Sequence, residues 1–247
     1  MQLRQQLARD GARTNVFMTL PAPFLAERLG SLGVETIALD LQHGSIEAAQ
    51  VLGVVQAIRA GGAVPLARLA WNRPELIMKA LDYGVEGLIC PMIETADDVR
   101  AFVRAAKYPP LGNRSFGPFR AAMLHEGDYF ADANAATLCF AMVETAGAVD
   151  NLEEIAAVPG LDGLYIGPWD LSVSLGRPRQ GDFADPELLA VFDRVLAVAR
   201  EYDLFTGVFT VQPADARAMV ERGFDLVTWG TEELLFQRGV AAWEEKF

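Results

Sequence analysis

Eight short apolar runs alternate with segments of helical spacing along the 247-residue chain, and that rhythm limits the folds open to it. The runs are NVFMTL (15–20), TIALDL (36–41), VPLARL (64–69), GLICPM (87–92), LCFAMVE (138–144), GLYIG (163–167), FTGVFTV (205–211) and LVTWG (226–230). Most are almost continuously apolar, as a parallel strand must be when both faces of its sheet are covered. Between them, FLAERLGSLGV, RPELIMKALDYGV and DPELLAVFDRVLAVAREYDL carry apolar residues three and four apart, the period of one helix face. Pro74 and Pro186 stand in first-turn positions, each followed by glutamate. Thr95 with Asp98 makes a capping-box pattern, with Asp in place of the usual Glu or Gln. Four helical segments run into a short Gly- or Asp-centred turn (LGV, YGV, PGLDG, RGFD) before the next strand. Strand–helix alternation repeated eight times predicts a (β/α)8 barrel. The alternative, a doubly wound open sheet, wants a glycine-rich dinucleotide turn after its first strand, and the sequence has none.

One spacing departs from the rhythm. Residues 108–136, YPPLGNRSFGPFRAAMLHEGDYFADANAA, separate the fourth and fifth runs. Their Pro, Gly and aromatic content predicts an ordered excursion over a barrel mouth. No composition break divides the chain, so one barrel domain over 1–247 is expected. The last segment, TEELLFQRGVAAWEEKF, has helical character and keeps Leu234, Leu235, Trp243 and Phe247, apolar bulk that needs a surface to cover.

Composition narrows the partners. Hydrophobic residues make up 51% and charged residues 22%, the profile of a packed protein. A net charge of −12 disfavours nucleic acid or an anionic membrane as primary partner. Cys90 and Cys139 lie inside apolar runs, with neither a disulfide framework nor a CxxC spacing, and are expected to be buried free thiols. The N-terminal segment lacks the apolar stretch of a signal peptide, and no stretch approaches the roughly 18 apolar residues of a membrane span. A cytoplasmic location is therefore expected.

In a (β/α)8 barrel, chemistry sits at the C-terminal ends of the strands. There the second run ends in Asp40 and His43, the third carries Arg68, the fifth ends in Glu144, and Asp170 follows the sixth. Burying such a set without function would sacrifice hydration worth several kcal/mol per unpaired charge, in rough terms. Each residue alone also has a structural reading. Asp40 and Arg68 suit a barrel ion pair, His43 a hydrogen-bonded structural histidine, and Asp170 a helix cap. Glu144 has no evident capping task, and the convergence favours a site. His125, in the 108–136 insertion, is expected to be an ordinary surface or interface residue.

Glu144 and Asp170 come from adjacent strands, spaced about 4.8 Å apart. Two carboxylates that close repel unless a cation lies between them. Two oxygen ligands suit a hard divalent ion such as Mg²⁺ or Mn²⁺ that keeps positions for water and substrate. Lysine gives a negative result: Lys79, Lys107 and Lys246 all lie off the strands, leaving no Schiff-base nucleophile. The acidic loops TVQPAD and WGTEE disfavour a phosphorylated substrate.

These motifs resemble the HpcH/HpaI family of class II pyruvate aldolases. DLQHG resembles that family's D-x-x-H element and PLARL its arginine strand. GLICPMIETADDVR and YPPLGNRSFGP follow its middle, and VET with NLEEIAAVPGLDGLYIGPWDLSVSLG is the most specific stretch. The resemblance implies a barrel whose last helix is exchanged between subunits of a hexamer, a trimer of dimers. It implies a divalent ion (Mg²⁺, Mn²⁺ or Co²⁺) on Glu144 and Asp170, chelated by a 2-oxo acid whose carboxylate lies near the backbone of Gly167, Pro168 and Trp169. It places Arg68 at the keto oxygen, and His43, oriented by Asp40, as the base, directly or through water. Asp82 matches a position that reaches a neighbouring subunit's site. The chain departs from the family's usual pattern at Met142 (commonly Gln), Trp169 (commonly Ala) and Phe17 (near a usual Trp).

The expected reaction is reversible cleavage of a 4-hydroxy-2-oxo acid to pyruvate or hydroxypyruvate and an aldehyde. Alternatives are a citrate-lyase-type enzyme acting on an acyl-CoA and a non-catalytic 2-oxo-acid-binding barrel. Trp169, Phe209 and Val211 are candidate walls of the aldehyde pocket.

Overall fold

The computed structural model describes residues 2–9 and 11–244. Strands β1 (Arg13–Met18), β2 (Thr36–Asp40), β3 (Val64–Arg68), β4 (Gly87–Cys90), β5 (Leu138–Val143), β6 (Gly163–Ile166), β7 (Phe205–Phe209) and β8 (Leu226–Thr231) form one closed barrel in chain order. Every neighbouring pair is parallel, and β8 closes on β1. All residues of β2 and β5 are buried, which explains runs without polar alternation.

Helices fill the connections: α1 (Gln2–Leu7), α2 (Pro23–Ser31), α3 (Ala48–Ala60), α4 (Pro74–Asp82), α5 (Ala96–Ala106), α6 (Tyr129–Ala136), α7 (Ala146–Asp150), α8 (Leu152–Ala156), α9 (Pro168–Ser174), α10 (Pro186–Glu201), α11 (Pro213–Arg222) and α12 (Glu232–Glu244). The sequence signals act where expected. Pro74 and Pro186 open α4 and α10. The Thr95 hydroxyl accepts from the Asp98 N–H at 3.2 Å, while Asp98 accepts from the Thr95 N–H at 2.9 Å, so aspartate completes the capping box. Gly223 ends α11 at φ 100°, a left-handed turn that only glycine enters freely.

Two cores result. One lies between barrel and helices, around Val54, Phe102, Leu152 and Phe192; the other fills the barrel interior, around Phe17, Phe140, Met142 and Tyr165. Interior rings face glycines: a Cβ on Gly163 would stand 2.4 Å from the Phe140 ring, and one on Gly207 2.3 Å from Tyr165. The interior polar groups satisfy one another. Asn15 donates to the Thr228 hydroxyl at 2.8 Å and accepts from Thr36 at 2.9 Å, and the Tyr165 and Thr228 hydroxyls meet at 2.5 Å.

Two segments lie at the N-terminal end of the barrel. The polar opening segment forms α1, whose Leu3 and Leu7 join the interior core while Arg4 pairs with Asp162. The 108–136 insertion covers this same end, opposite the strand ends that carry Asp40 and Glu144. It follows α5, which has already returned the chain to the N-terminal side, and the N–H groups of Arg120 and Ala121 donate to the Asp82 carbonyl at 3.0 and 3.2 Å. Its aromatics order it: the Tyr108 ring packs on Phe116 and Phe130 at 5.7 and 5.4 Å. Cys90 and Cys139 are buried free thiols. Among the described residues, no helix is long and apolar enough to cross a membrane.

Candidate active site

A cavity of about 160 Å³ opens at the C-terminal ends of the strands, and its wall divides by strand order. From β2 through the loop after β6 come Asp40, His43, Arg68 and Asp170. From that loop through β7 and β8 to β1 come Trp169, Phe209, Thr231 and Phe17.

Asp40 and Arg68 end paired strands in register, so their side chains leave the sheet side by side. Arg68 donates from Nε and Nη2 to the two oxygens of Asp40 at 2.9 and 2.6 Å, a bidentate pair whose side chains are 12% and 3% exposed. The guanidinium also lies 5.0 Å from the centre of the Phe17 ring. Asp40 Oδ1 further accepts from the main-chain N–H groups of Gln42 and His43, at 3.2 and 3.1 Å. Asp40 thus holds the turn that carries His43, through the backbone. The imidazole of His43 is exposed at the rim and, among the described residues, makes no hydrogen bond.

The turn is clamped from β1. A Cβ on Gly44 would stand 2.4 Å from the Asp40 carbonyl oxygen and 2.9 Å from that of Thr19, so glycine is needed for the close approach. The Ser45 N–H donates to the same Thr19 oxygen at 2.7 Å. Thr19 is fixed in turn by Glu232, a 1% exposed carboxylate that accepts from the N–H groups of Thr19 and Leu20 at 2.8 and 2.7 Å.

Glu144 follows β5 and is 1% exposed. Its Oε1 accepts from the Met92 N–H at 2.7 Å, and Met92 adopts φ 54°, an uncommon conformation for a non-glycine residue that aims this donor. Oε2 has no donor among the described residues. Gly167 makes room for it, since a Cβ there would stand 2.8 Å from Oε2. Asp170 lies in the first turn of α9 and lines the cavity; the N-cap of that helix is Gly167. Burial raises the Glu144 carboxyl to about 7; the Met92 hydrogen bond opposes the shift, Asp170 adds to it, and Arg68 opposes it. A buried carboxylate with one oxygen unpaired beside a second carboxylate fits a divalent cation. Among the described residues, no group of three or more His, Cys, Asp or Glu side chains could hold an ion. Two protein carboxylates therefore leave most of a hard ion's coordination to water and substrate.

Comparison with known proteins identifies the family. The HpcH/HpaI aldolase/citrate lyase family model matches residues 13–238. The chain belongs to the HpcH/HpaI aldolase/citrate lyase family. It is 36% identical over 212 residues to the hydroxypyruvate/pyruvate aldolase of Rhizorhabdus wittichii, covering 86% of this chain and 84% of that one. It is 34% identical over 220 residues to the 2-dehydro-3,6-dideoxy-6-sulfogluconate aldolase of Pseudomonas putida, covering 88% and 86%. Among solved structures, an HpcH/HpaI aldolase/citrate lyase family protein from Burkholderia cenocepacia superimposes with a TM-score of 0.91 at 32% identity, over 99% of this chain and 98% of that one.

Within this HpcH/HpaI barrel, Asp40, His43, Arg68, Gly167, Pro168, Trp169 and Asp170 all border one cavity, and Glu144 lies beneath it, against Gly167. Asp82 does not join them. It ends α4 at the opposite end of its own barrel, where the fully buried Arg114 donates to its carboxylate at 2.7 Å. Val211 also lies elsewhere, in an apolar groove with Pro213, Trp229 and Leu235, because β7 ends at Phe209 and the chain turns outward. His125 is more engaged than a plain surface residue: its Nε2 meets Asp132 at 2.9 Å and its ring packs on Tyr129 at 5.8 Å. Lys107 is buried at the N-terminal end, where Nζ donates to the Asn134 carbonyl and to Asp162, both at 2.8 Å. Lys79 lies over the Tyr83 ring; Lys246 and Phe247 fall outside the described residues. Sequence reasoning missed Met92 and Glu232. Nothing local marks Met92 as a left-handed residue, and Glu232 hides in a TEE triplet that looks like an ordinary helix start.

The raised pKa of Glu144 makes metal-free stability in this HpcH/HpaI chain depend on pH. Without a cation, the folded state keeps a proton that the unfolded chain releases between the ordinary 4.5 and about 7. Metal-free stability therefore falls as pH rises through that window, and a cation held by Glu144 would compete with the same proton. Mn²⁺ affinity is expected to weaken as pH drops below about 7, by up to roughly tenfold per unit. Calorimetric titration at several pH values tests this, and a pH-independent affinity would contradict it.

Proposed function

We propose that this chain is a divalent-metal-dependent aldolase that reversibly cleaves 4-hydroxy-2-oxo acids to pyruvate, or hydroxypyruvate, and an aldehyde. The observation that carries the reading is the buried Glu144 beside Asp170 at the same mouth as the Asp40–Arg68 pair and the open imidazole of His43.

Glu144 and Asp170 would hold the cation, Mg²⁺, Mn²⁺ or Co²⁺. When bound, it supplies positive charge that favours the enolate of the 2-oxo acid. Arg68 spends two N–H groups on Asp40 and keeps others for the keto oxygen, so it is oriented before substrate arrives. In the first turn of α9 the N–H groups of Trp169 and Asp170 have no intrahelical acceptor and suit the substrate carboxylate, while Pro168 offers no N–H and Gly167 donates to Val143. His43 takes the proton from the carbon next to the ketone, directly or through water, and returns it in the reverse direction. Asp40 positions His43 through the main chain and Arg68 through its carboxylate, which ties the two tasks to one residue. The acyl-CoA alternative gains no support, because Arg68 is the one lysine or arginine among the described residues lining the cavity.

Residues 1–247 are read as one barrel domain acting in the cytoplasm. The exposed Phe236 and Val240 of α12, beside the apolar groove of Trp229 and Leu235, favour a homo-oligomer. The family resemblance suggests a hexamer that exchanges α12 and brings Asp82 to a neighbour's site.

Exchange of the pyruvate methyl protons with deuterated solvent, followed by NMR with Mg²⁺ present, tests the reading without any aldehyde. The wild type is expected to exchange, and His43→Ala to slow exchange by about 10²-fold or more. An unchanged rate would remove His43 from the base role.

A further inference from the structure

We propose that Glu232 is a positioning residue for the proton step, setting the place of the His43 imidazole through a single peptide plane after β1. The proposal deepens the aldolase reading and rests on it for the task given to His43. Thr231 borders the cavity, whereas Glu232 turns away from it toward β1.

An extra residue in β8 brings Glu232 there. Asn15 stands opposite Thr228 but Phe17 opposite Thr231, so β8 takes three residues where β1 takes two. Gly230, at φ 93°, lies in the extra length, a left-handed position that glycine enters freely. Such an insertion bends a strand and re-aims the side chains that follow it. Glu232, the first residue of α12, then reaches the residues that follow β1. Its carboxylate is 1% exposed. Oε1 accepts from the N–H groups of Thr19 and Leu20 at 2.8 and 2.7 Å and from the Thr19 hydroxyl at 3.0 Å. Oε2 accepts from the Thr19 N–H at 2.9 Å.

The Leu20 N–H and the Thr19 carbonyl belong to one planar peptide unit and point in opposite directions. Holding that N–H on Glu232 therefore aims the carbonyl at the turn bearing His43. The carbonyl accepts there from the Ser45 N–H at 2.7 Å and the Ser45 hydroxyl at 3.1 Å. The turn thus has two anchors. Asp40 holds the N–H groups of Gln42 and His43, and the Thr19 carbonyl holds Ser45. Because the imidazole itself makes no hydrogen bond among the described residues, these anchors set where the ring stands. A displacement of about 1 Å can slow a reaction about 10²-fold when groups must meet in a transition state. A carboxylate that only closed the β1–β8 seam would support every function of the barrel alike. One that positions His43 bears on proton transfer and leaves the residues after β5 and β6 undisturbed.

The test compares Glu232→Met with Glu232→Gln in the full chain. The two side chains are similar in length and bulk, but only glutamine keeps an oxygen for the Leu20 N–H. Exchange of the pyruvate methyl protons with deuterated solvent, with Mg²⁺ present, is expected to slow about tenfold in Glu232→Met and to stay within about threefold of wild type in Glu232→Gln. Mn²⁺ affinity and the pyruvate KM should change by less than about threefold in both, as sites without shared partners are nearly independent. The chain has two histidines, so NMR of 13C-labelled histidine reads the ring directly. The His43 signal should move in Glu232→Met, while that of His125, at the other end of the barrel, should not. Should Glu232→Met not fold, Gly44→Ala loads the same clamp from the other side, its Cβ standing 2.9 Å from the Thr19 carbonyl oxygen, and the same pattern is expected. An unmoved His43 signal, an unslowed exchange, equal slowing by methionine and glutamine, or an equal loss of Mn²⁺ affinity overturns the proposal. With exchange intact in the wild type, any of these removes this inference alone; absent exchange in the wild type overturns the aldolase reading and this proton task with it.

Discussion

Glu144→Gln is expected to abolish measurable Mn²⁺ binding and to lower kcat by about 10³-fold or more, roughly 4 kcal/mol of lost barrier reduction. The substitution is nearly isosteric and its amide oxygen can still accept from the Met92 N–H, so the local fold has little reason to change. What disappears is the negative charge that burial makes costly and that a bound cation would offset. Thermal stability in the metal-free state should hold or rise, because an uncompensated buried carboxylate has been removed. Binding is read by calorimetry and activity by coupled assay of pyruvate release. Full activity in EDTA, or unchanged Mn²⁺ affinity in the variant, would remove the two carboxylates from the role assigned to them.

The second large effect falls on Arg68. Arg68→Ala leaves Asp40 buried with its carboxylate unpaired, and removal of one partner from a buried pair costs about 3–5 kcal/mol. At about 2–4 °C per kcal/mol for a chain of this size, the melting temperature should fall by roughly 10 °C. The contact with Phe17 is lost as well. Activity should fall by about 10²-fold or more, since the donor proposed to face the keto oxygen is gone. The double variant Asp40→Asn, Arg68→Met separates the two losses, because the amide oxygen can still accept from the Gln42 and His43 N–H groups. With no charge left unpaired it should regain most of the stability and none of the activity. A double variant as unstable as the single one would mean that the ion pair is not what Arg68 contributes to folding.

The barrel was legible because a doubly covered parallel strand must be apolar at nearly every position, and eight such runs have few other arrangements. The charged residues of the mouth stood out for the same reason: Asp40, Arg68 and Glu144 interrupt or end runs that otherwise carry no charge. Other features depend on partners far away in sequence. Glu232 reaches Thr19 across 213 residues, and no local pattern announces that contact. Gly44 and Gly167 look like turn glycines, yet each is required by an atom of another segment, the Thr19 carbonyl and the Glu144 carboxylate. The 108–136 insertion was visible as an ordered excursion, but which mouth it covers depends on where α5 ends. Capping signals were more local, and both Thr95 and Pro186 behave as their sequence context predicts.

The division of the cavity between two arcs of strands bears on how such an enzyme can diverge. The residues proposed to handle the proton and hold the ion end or follow β2, β3, β5 and β6, whereas Phe209, Thr231 and Phe17 belong to β7, β8 and β1. Substitutions on separate elements without shared partners combine nearly additively. A lineage can therefore exchange the residue at 231 with little effect on the proposed chemistry, whereas Phe209 shares its partner Phe17 with Arg68. Trp169 shares a helical turn with Asp170, so change there also bears on a proposed ligand of the ion.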